Sequence, residues 1–416
     1  MNKKLIKKLS LFTVSLFTVT SLMTFSPVNK IYAAENTNTT NKIKGVITKY
    51  FKSEFESIKK GQAVQEDTII GNEKLKEFIN LRNSREGIWY KKLNYNLLNY
   101  SININYNSIN YNDGICTIDL SKNTQFSYDR DPSIVSKELN AKHIITLKKI
   151  DDKWLIDNDI DNIENINKIN KIKDSNSNSS NSNSSINNII KISVVSDTNN
   201  DLDQKILNLK ERSKNIDTEV NEYKQFIQNA SQSRKNKLAT LLPSPNGTFE
   251  GHTWQVDYNR MAAVNYAHTW ANSQNNSYRS FEDDCANFVS QSIYAGAPVM
   301  NTGSMGWFNG TLIAGSAWIN VGDQWNFLIS NTGKGPVAMD NTHLYGIDFG
   351  DLIDLWNAST KSYHHAIIIT KIGETGDLYF SAHTNSRYDY PLVDAYATGY
   401  YLEGMQRTAH ILGYNN

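Results

Sequence analysis

The chain has 416 residues, with 43 Lys and Arg against 42 Asp and Glu and a net charge of +1. That balance excludes the strongly basic surface that nucleic acid calls for and the polybasic face that binds an anionic membrane. With only two cysteines, Cys116 and Cys285, no disulfide framework supports the chain, and its length exceeds what one core usually organises, so two or three domains are expected.

Lys3, Lys4, Lys7 and Lys8 precede an apolar run from Leu9 to Phe25, which reaches the small-residue site Ile31-Tyr32-Ala33-Ala34. A basic head, an apolar middle and small residues at the end describe a secretory signal over residues 1–34, cleaved near Ala33. The run is interrupted by Thr and Ser and is short for a bilayer span, and no other segment is apolar enough to cross a membrane. The expected product is exported, extracellular or associated with the cell wall, and without a transmembrane anchor once the signal is removed.

Residues 41–165 read as a small α+β domain. Ile47, Phe51, Phe55 and Ile58 recur at helical spacing, whereas Ile102, Ile104 and Tyr106 alternate, as do Cys116, Ile118 and Leu120 after the turn Asn112-Asp113-Gly114. Ile144 to Ile150, the turn Asp151-Asp152 and Trp154 to Ile156 form a last hairpin, so a cystatin-like roll is expected. Cys116 lies on the apolar face of its strand, where burial quiets a thiol. His143 opens the following strand with no partner nearby in sequence, and a spacer or binding role is the default for this domain.

Residues 166–200 form a linker dominated by Ser and Asn from Asp174 to Asn188, a composition that buries too little apolar surface to order itself. Over 201–248, Leu202, Ile206, Leu209, Ile216, Val220, Tyr223 and Ile227 describe one amphipathic helix, a coiled-coil-like strut, ended by Pro243, Pro245 and Gly247.

The chemistry lies in residues 249–416. Tyr258 to Trp270 read as a helix apolar over most of its surface. Asp283-Asp284-Cys285-Ala286-Asn287-Phe288 then places a thiol in the first turn of a second helix, which closes on Gly296. Unpaired N–H groups and the helix dipole at that turn favour a thiolate and offer donors to an oxyanion. Asp283 and Asp284 are positioned to cap the helix, at the cost of negative charge beside the thiolate. Trp307, Trp318 and Trp325 follow, aromatic residues that line a groove or pack a core.

Leu352 to Trp356, His364 to Thr370 and Leu378 to Thr384 read as three strands of an antiparallel meander, with Asp351 fixing the turn into the first. His365 opens the second strand and His383 closes the third, which brings both to one edge of the sheet. His364, adjacent to His365, points to the opposite face. A helix cysteine and a sheet-edge histidine supply a nucleophile and its general base, and His383 or Asn385 is available to orient the imidazole.

The stretch Asp284 to Gln291, with the helix before it, His365 to Thr370 and His383-Thr384 after it, resembles the Putative amidase domain family, which is similar to the NlpC-type and CHAP cysteine amidases and peptidases. The resemblance covers about the last 160 residues and implies a papain-like fold, with Cys285 as nucleophile, His365 as base and His383 or Asn385 as third member. Ala286 departs from the Thr that relatives usually carry there, which removes a hydroxyl but no triad member. Asn287 and Gln291, two and six positions beyond the cysteine, read as support for the site rather than substrate contacts.

With export, the resemblance implies a cysteine amidase or peptidase acting through a thioester on peptidoglycan peptides, without cofactor or metal. Two other readings compete. One is a zinc hydrolase using Cys285, His365 and His383, although paired CxxC or HExxH spacing is missing. The other is a non-catalytic wall-binding protein on a papain-like scaffold.

Overall fold

The structure, a computed structural model, describes residues 27–64, 68–161, 166, 202–238, 248–249, 251–303, 306–310, 312–340, 347–357, 360–397 and 406–416. The apolar run of the expected signal and most of the expected Ser/Asn-rich linker lie outside them. Two compact units divide the chain, Met1–Gly45 and Val46–Asn416. Helix α1 (Pro27–Lys60) begins in the first, and everything below concerns the second. Among the described residues no helix is long and apolar enough to cross a membrane.

The second unit is α+β. The stripe on α1 is buried as its spacing requires: Ile47, Phe51, Phe55 and Ile58 all face the core. Helix α2 (Glu73–Leu93) has no counterpart among the expected elements. Its stretch is rich in Lys, Glu and Arg, and its buried face itself carries Asn83, Arg85 and Glu86, so polar residues break the apolar period. Asn72 caps it, its side chain accepting from the N–H groups of Lys74 and Leu75. At Gly87 the backbone of α1 passes so closely that a Cβ would stand 2.7 Å from the Ser57 carbonyl.

Four antiparallel strands follow, β1 (Leu97–Asn112), β2 (Ile115–Tyr128), β3 (Ser136–Ile150) and β4 (Lys153–Ile160). The β1–β2 turn uses Asp113 and Gly114 and the β3–β4 turn uses Asp151 and Asp152, all four with positive φ, which a two-residue hairpin of right-handed twist demands. Cys116, Ile118 and Leu120 are fully buried on one face of β2. Both cysteines of the chain are free.

The amphipathic stripe after the linker is helical at 202–214, turns at Asn215 and continues as α3 (Ile216–Leu238). It is no free strut. Tyr223 meets the rings of Trp89 and Tyr396 at 5.8 and 6.0 Å, and buried Arg85 donates to the Arg212 carbonyl and pairs with Glu219. The apolar face is therefore covered by α2 and the C-terminal half.

That half contains β5 (Val256–Asp257), α4 (Arg260–Trp270), α5 (Cys285–Gly296), α6 (Val321–Ser330), β6 (Gly335–Asp340), β7 (Leu352–Asn357), β8 (Ser362–Ile372), β9 (Leu378–Ala382), β10 (Arg387–Pro391), α7 (Leu392–Ala397) and β11 (Arg407–Asn415). The expected antiparallel meander is β7-β8-β9. Helix α4 buries only Ala263, Val264 and Ala267 and leaves Met261 exposed, so one face packs rather than most of the surface.

One eleven-stranded sheet joins the two halves, in the order β1-β2-β3-β10-β9-β8-β7-β11-β5, with β4 also on β3 and β6 also on β11. The junction is short: Lys137 and Glu138 of β3 pair with Tyr388 and Arg387 of β10. Polar bonds beside it reinforce the join, with Arg130 on Asp377 at 2.7 Å and the Tyr379 hydroxyl on Asp131 at 2.8 Å.

The central strands separate two apolar layers. Ile353, Leu355, Ile367 and Ile369 face the helices and strands of the N-terminal half together with α3 and α7. Leu352, Ala366, Ile368, Ala409 and Ile411 face α4, α5 and α6. The helix that carries Cys285 thus lies on one side of the sheet, and the N-terminal half covers the other.

Candidate active site

The last turn of α5 fixes that helix. Gly296 ends it against the Asn259 carbonyl and the Tyr258 ring, each 2.5 Å from where a Cβ would stand. Every residue from Cys285 to Ile293 is buried. Phe288, Val289 and Ile293 fill the core beneath, while Trp307 and Trp318, both fully buried, pack beside them. Those two tryptophans are core rather than groove. Trp325 is half-buried under the Arg407 guanidinium, 4.5 Å from its ring.

Asp284 is the N-cap residue by position, yet its side chain makes no cap bond. The carboxylate is turned to the sheet: Oδ2 lies 2.6 Å from His383 Nδ1, and Oδ1 accepts from Asn287 Nδ2 at 2.7 Å and from the Phe281 N–H at 3.3 Å. The charge expected to trouble a thiolate is answered sideways instead of along the helix axis. Asp283, by contrast, is exposed and does face the sulfur, raising its proton affinity.

His383 is committed at both ends of its ring. Nε2 lies 2.7 Å from the Trp270 carbonyl while Nδ1 holds Asp284, and the ring stacks on Phe288 at 4.0 Å. Both partners are hydrogen-bond acceptors. The side chain ties α4, α5 and the end of β9 together, and neither nitrogen is left for a second imidazole. Thr384 completes the clasp in a left-handed conformation, φ 72°, its hydroxyl accepting the Asp284 N–H at 3.1 Å.

Cys285 is the first residue of α5 and is 6% exposed. The backbone N–H groups of Ala366 and Ala286 favour its thiolate. Cys285 packs in the layer between α5 and the sheet, together with Ala366 and Ile368 of β8. Strand β8 pairs with β9 only from Ile368 to Ile372. Ala366 directly follows His365, which pairs across the strands with Leu355, a residue of the opposite apolar layer. Of the two adjacent histidines, His365 is buried and His364 exposed, with a register break between Tyr363 and His365.

Electrostatics at rest differ from the expected ion pair. Burial pushes the Cys285 thiol up to about 11, with Asp354 and Asp283 adding to the effect and the two N–H groups opposing it. Burial also pushes His365 down to about 3, assisted by the Arg387 and His364 charges. Helix-start stabilisation is a fraction of a unit charge, whereas desolvation acts on the whole of it. The resting pair is thiol and neutral imidazole.

Cys285, His365 and Asn385 line one cavity of about 690 Å³, with Asp283, Tyr363, His364 and Arg387 among its walls. His383 is not among its lining residues. Asn385 is exposed, on the loop between β9 and β10. No group of three or more His, Cys, Asp or Glu residues that would hold a metal ion occurs among the described residues.

The residues expected to support the helix do so. The Asn287 amide donates to the Arg279 carbonyl at 3.0 Å as well as to Asp284, and its oxygen accepts from Trp318 Nε1 at 2.7 Å and Asn309 Nδ2 at 3.2 Å. Gln291 accepts from the Tyr266 hydroxyl at 2.5 Å. Asp351 fixes its turn through the Asp348 N–H at 2.8 Å and also binds Arg260 at 2.7 Å and His410 at 2.6 Å. Burial would raise Asp351, but these two partners bring it to about 2.

Asp354 has no counterpart in the sequence reading. It pairs across the strands with Ala366, is fully buried, and accepts from Arg407 Nε at 2.8 Å through Oδ2, leaving Oδ1 without a hydrogen-bond partner. Burial raises it to about 7 in spite of Arg407. Alternation with Leu352 on a buried strand was the only available signal, and it marks a core position, not a charged one.

A buried cysteine at a helix start and a histidine of the antiparallel sheet line one cavity, and residues 257–404 match the family model described as Putative amidase domain, a domain of hydrolases acting on amides. The match spans Cys285, His365, His383 and Asn385. The chain is 27% identical over 200 residues to Uncharacterized protein YjcM of Bacillus subtilis (strain 168), covering 46% of this chain and 44% of that protein. It is 30% identical over 116 residues to Uncharacterized protein YhbB of the same organism, covering 27% and 37% respectively. In each case the match spans less than half of the relative's length. No solved structure gives a significant match.

Proposed function

We propose that residues 249–416 form a papain-like cysteine amidase or peptidase that cleaves an amide bond through a thioester, acting outside the cell on peptidoglycan peptides. The observation that carries this reading is the position of Cys285: the first residue of α5, it stands in the wall of a cavity that it shares with His365 and Asn385. The family match and the signal-like start of the sequence support the substrate class and the location.

In this reading His365, neutral at rest, takes the thiol proton as the sulfur attacks the substrate carbonyl carbon. The oxyanion is met by backbone N–H groups at the start of α5. The imidazolium returns the proton to the nitrogen as the C–N bond breaks and amine leaves. Water, deprotonated by the same imidazole, then splits the thioester to carboxylic acid and thiol. Asn385 is the residue that orients His365, since both nitrogens of His383 are engaged elsewhere.

The N-terminal half covers the face of the sheet opposite α5 and contributes to the same cavity, which favours a binding role for the cystatin-like roll over that of a spacer. The test is release of new amines from purified cell wall. The wild-type protein is expected to release them and Cys285→Ala to release none; undiminished release by the variant overturns the reading. The elevated thiol favours one second reading, a wall-binding protein with an idle cysteine, and that reading requires binding to wall without any release by the wild type.

A further inference from the structure

Beyond the cysteine and histidine, the cavity is walled by charged residues of the N-terminal half and of α7: Glu54, Arg82, Glu86, Lys122, Glu138 and Asp394. Their pairing is unequal. Glu138 takes both Lys122, at 3.0 Å, and Arg387, at 2.7 Å. Arg82 is left to serve Glu54 at 3.6 Å and Glu86 at 3.8 Å, outside close hydrogen-bond contact with either. Asp394 has no ion pair among the described residues. Among the described residues the ion pairs of Glu54, Glu86 and Glu138 are made with Arg82, Lys122 and Arg387 alone.

Two carboxylate oxygens record the imbalance. Glu86, 3% exposed, has no hydrogen-bond partner at Oε2, and Asp394 has none at Oδ1. A buried carboxylate without donors is costly unless something else supplies them. Burial, aggravated by Glu54, raises Glu86 to about 8 against the pull of Arg82, and burial with Glu86 and Glu54 raises Asp394 well above the usual carboxylate range. Both acids are held up chiefly by burial, with the neighbouring carboxylates adding to it, in a place where a donor or a cation is wanted.

We infer that Glu86 and Asp394, with Glu54, form a subsite for a primary ammonium group on the substrate whose amide is presented to Cys285. This rests on the amide-cleaving reading above and adds the substrate's charge to it. A multivalent metal ion is the poorer fit, because no three of these acids approach closely enough to hold one among the described residues. An ammonium on a flexible stem brings three donors to separately placed oxygens. Continuity of the site follows from Arg387, which lines the same cavity as His365, Glu54 and Glu86, binds Glu138 at 2.7 Å and lies 4.7 Å over the Tyr390 ring. The volume of about 690 Å³ suits a short peptide.

The test uses full-length Cys285→Ala protein, which binds without turnover, and two probes: acetyl-Ala-Lys-Ala amide and the same peptide acetylated on the lysine nitrogen. Calorimetric titration is expected to show the free ammonium peptide binding at least tenfold more tightly, and Glu86→Gln or Asp394→Asn in that background is expected to remove most of the preference. Equal binding of the two probes overturns the subsite irrespective of whether the carboxylate variants fold, and so does a preference that survives both folded variants. Failure of the amidase reading is distinguishable: an ammonium preference in Cys285→Ala protein, with no amine released from any wall substrate by the wild type, leaves the subsite standing and removes the reaction.

Discussion

Asp284 Oδ2 lies 2.6 Å from His383 Nδ1, with both side chains almost wholly buried, 6% and 8% exposed. The pair sits between the first residue of α5 and the last turn of α4, so it holds the cysteine's helix to the sheet edge. A neighbouring acid, which by sequence position opposes the thiolate, is thereby turned into the anchor of the helix that carries the thiol.

Breaking that anchor leaves a buried charge alone, and losses of about 3–5 kcal/mol are usual for such changes. Asp284→Ala and His383→Ala are each expected to lower the melting temperature by several degrees and to depress turnover at least tenfold. The double variant is expected to lose much less than the sum of the two singles. Additive losses in thermal unfolding would show that the two side chains act separately.

Burial of the resting thiol makes a chemical prediction. With Cys285 up at about 11 and His365 down at about 3, alkylation of free Cys285 by iodoacetamide is expected to be slow at pH 7 and to climb steadily toward pH 11. Hydrolysis, which needs the neutral imidazole and an intact thiol, is expected to be nearly flat from pH 5 to pH 9. Cys116 is also raised, by burial, to about 11, so labelling has to be located by peptide mass. Fast labelling at pH 6 would show a standing thiolate and contradict this resting state.

Much of the fold was legible because its signals were local. The turns at Asp113-Gly114 and Asp151-Asp152, the stripe on α1 and the meander β7-β8-β9 each follow from spacing or turn chemistry over a dozen residues. What escaped was long-range. The pairing of Lys137–Glu138 with Arg387–Tyr388 joins the halves through residues about 250 apart in sequence, and no local pattern encodes it. Helix α2 escaped because Arg85 and Glu86 occupy its buried face, and Glu86 is part of the cavity wall. At the site, residue types picked out Cys285 and His365, which line one cavity, but His383 was placed by its strand end alone; which way its ring turns depends on Asp284 and the Trp270 carbonyl, both supplied by other elements.

Asp354 offers a test of sign. Its folded value of about 7 stands above that of an unfolded aspartate, so the stability it contributes is complete below about pH 4 and is lost as pH rises through 7. Asp354→Asn keeps an acceptor for Arg407 and removes the titration. Urea unfolding is expected to show the variant gaining on the wild type between pH 5 and pH 8. A constant difference across that range would mean that the carboxyl does not titrate there.

Asn287 separates support of the site from participation in it. Its amide satisfies the buried Trp318 N–H and reaches Asp284, so Asn287→Ala orphans the indole donor and loosens the carboxylate that holds His383. An unsatisfied buried donor costs about 1–3 kcal/mol, and a loss of about 2 kcal/mol is expected in chemical denaturation. Because the side chain is consumed by protein partners, KM is expected to stay within twofold while kcat falls through displacement of the helix start. A rise in KM at unchanged kcat would make Asn287 a substrate contact.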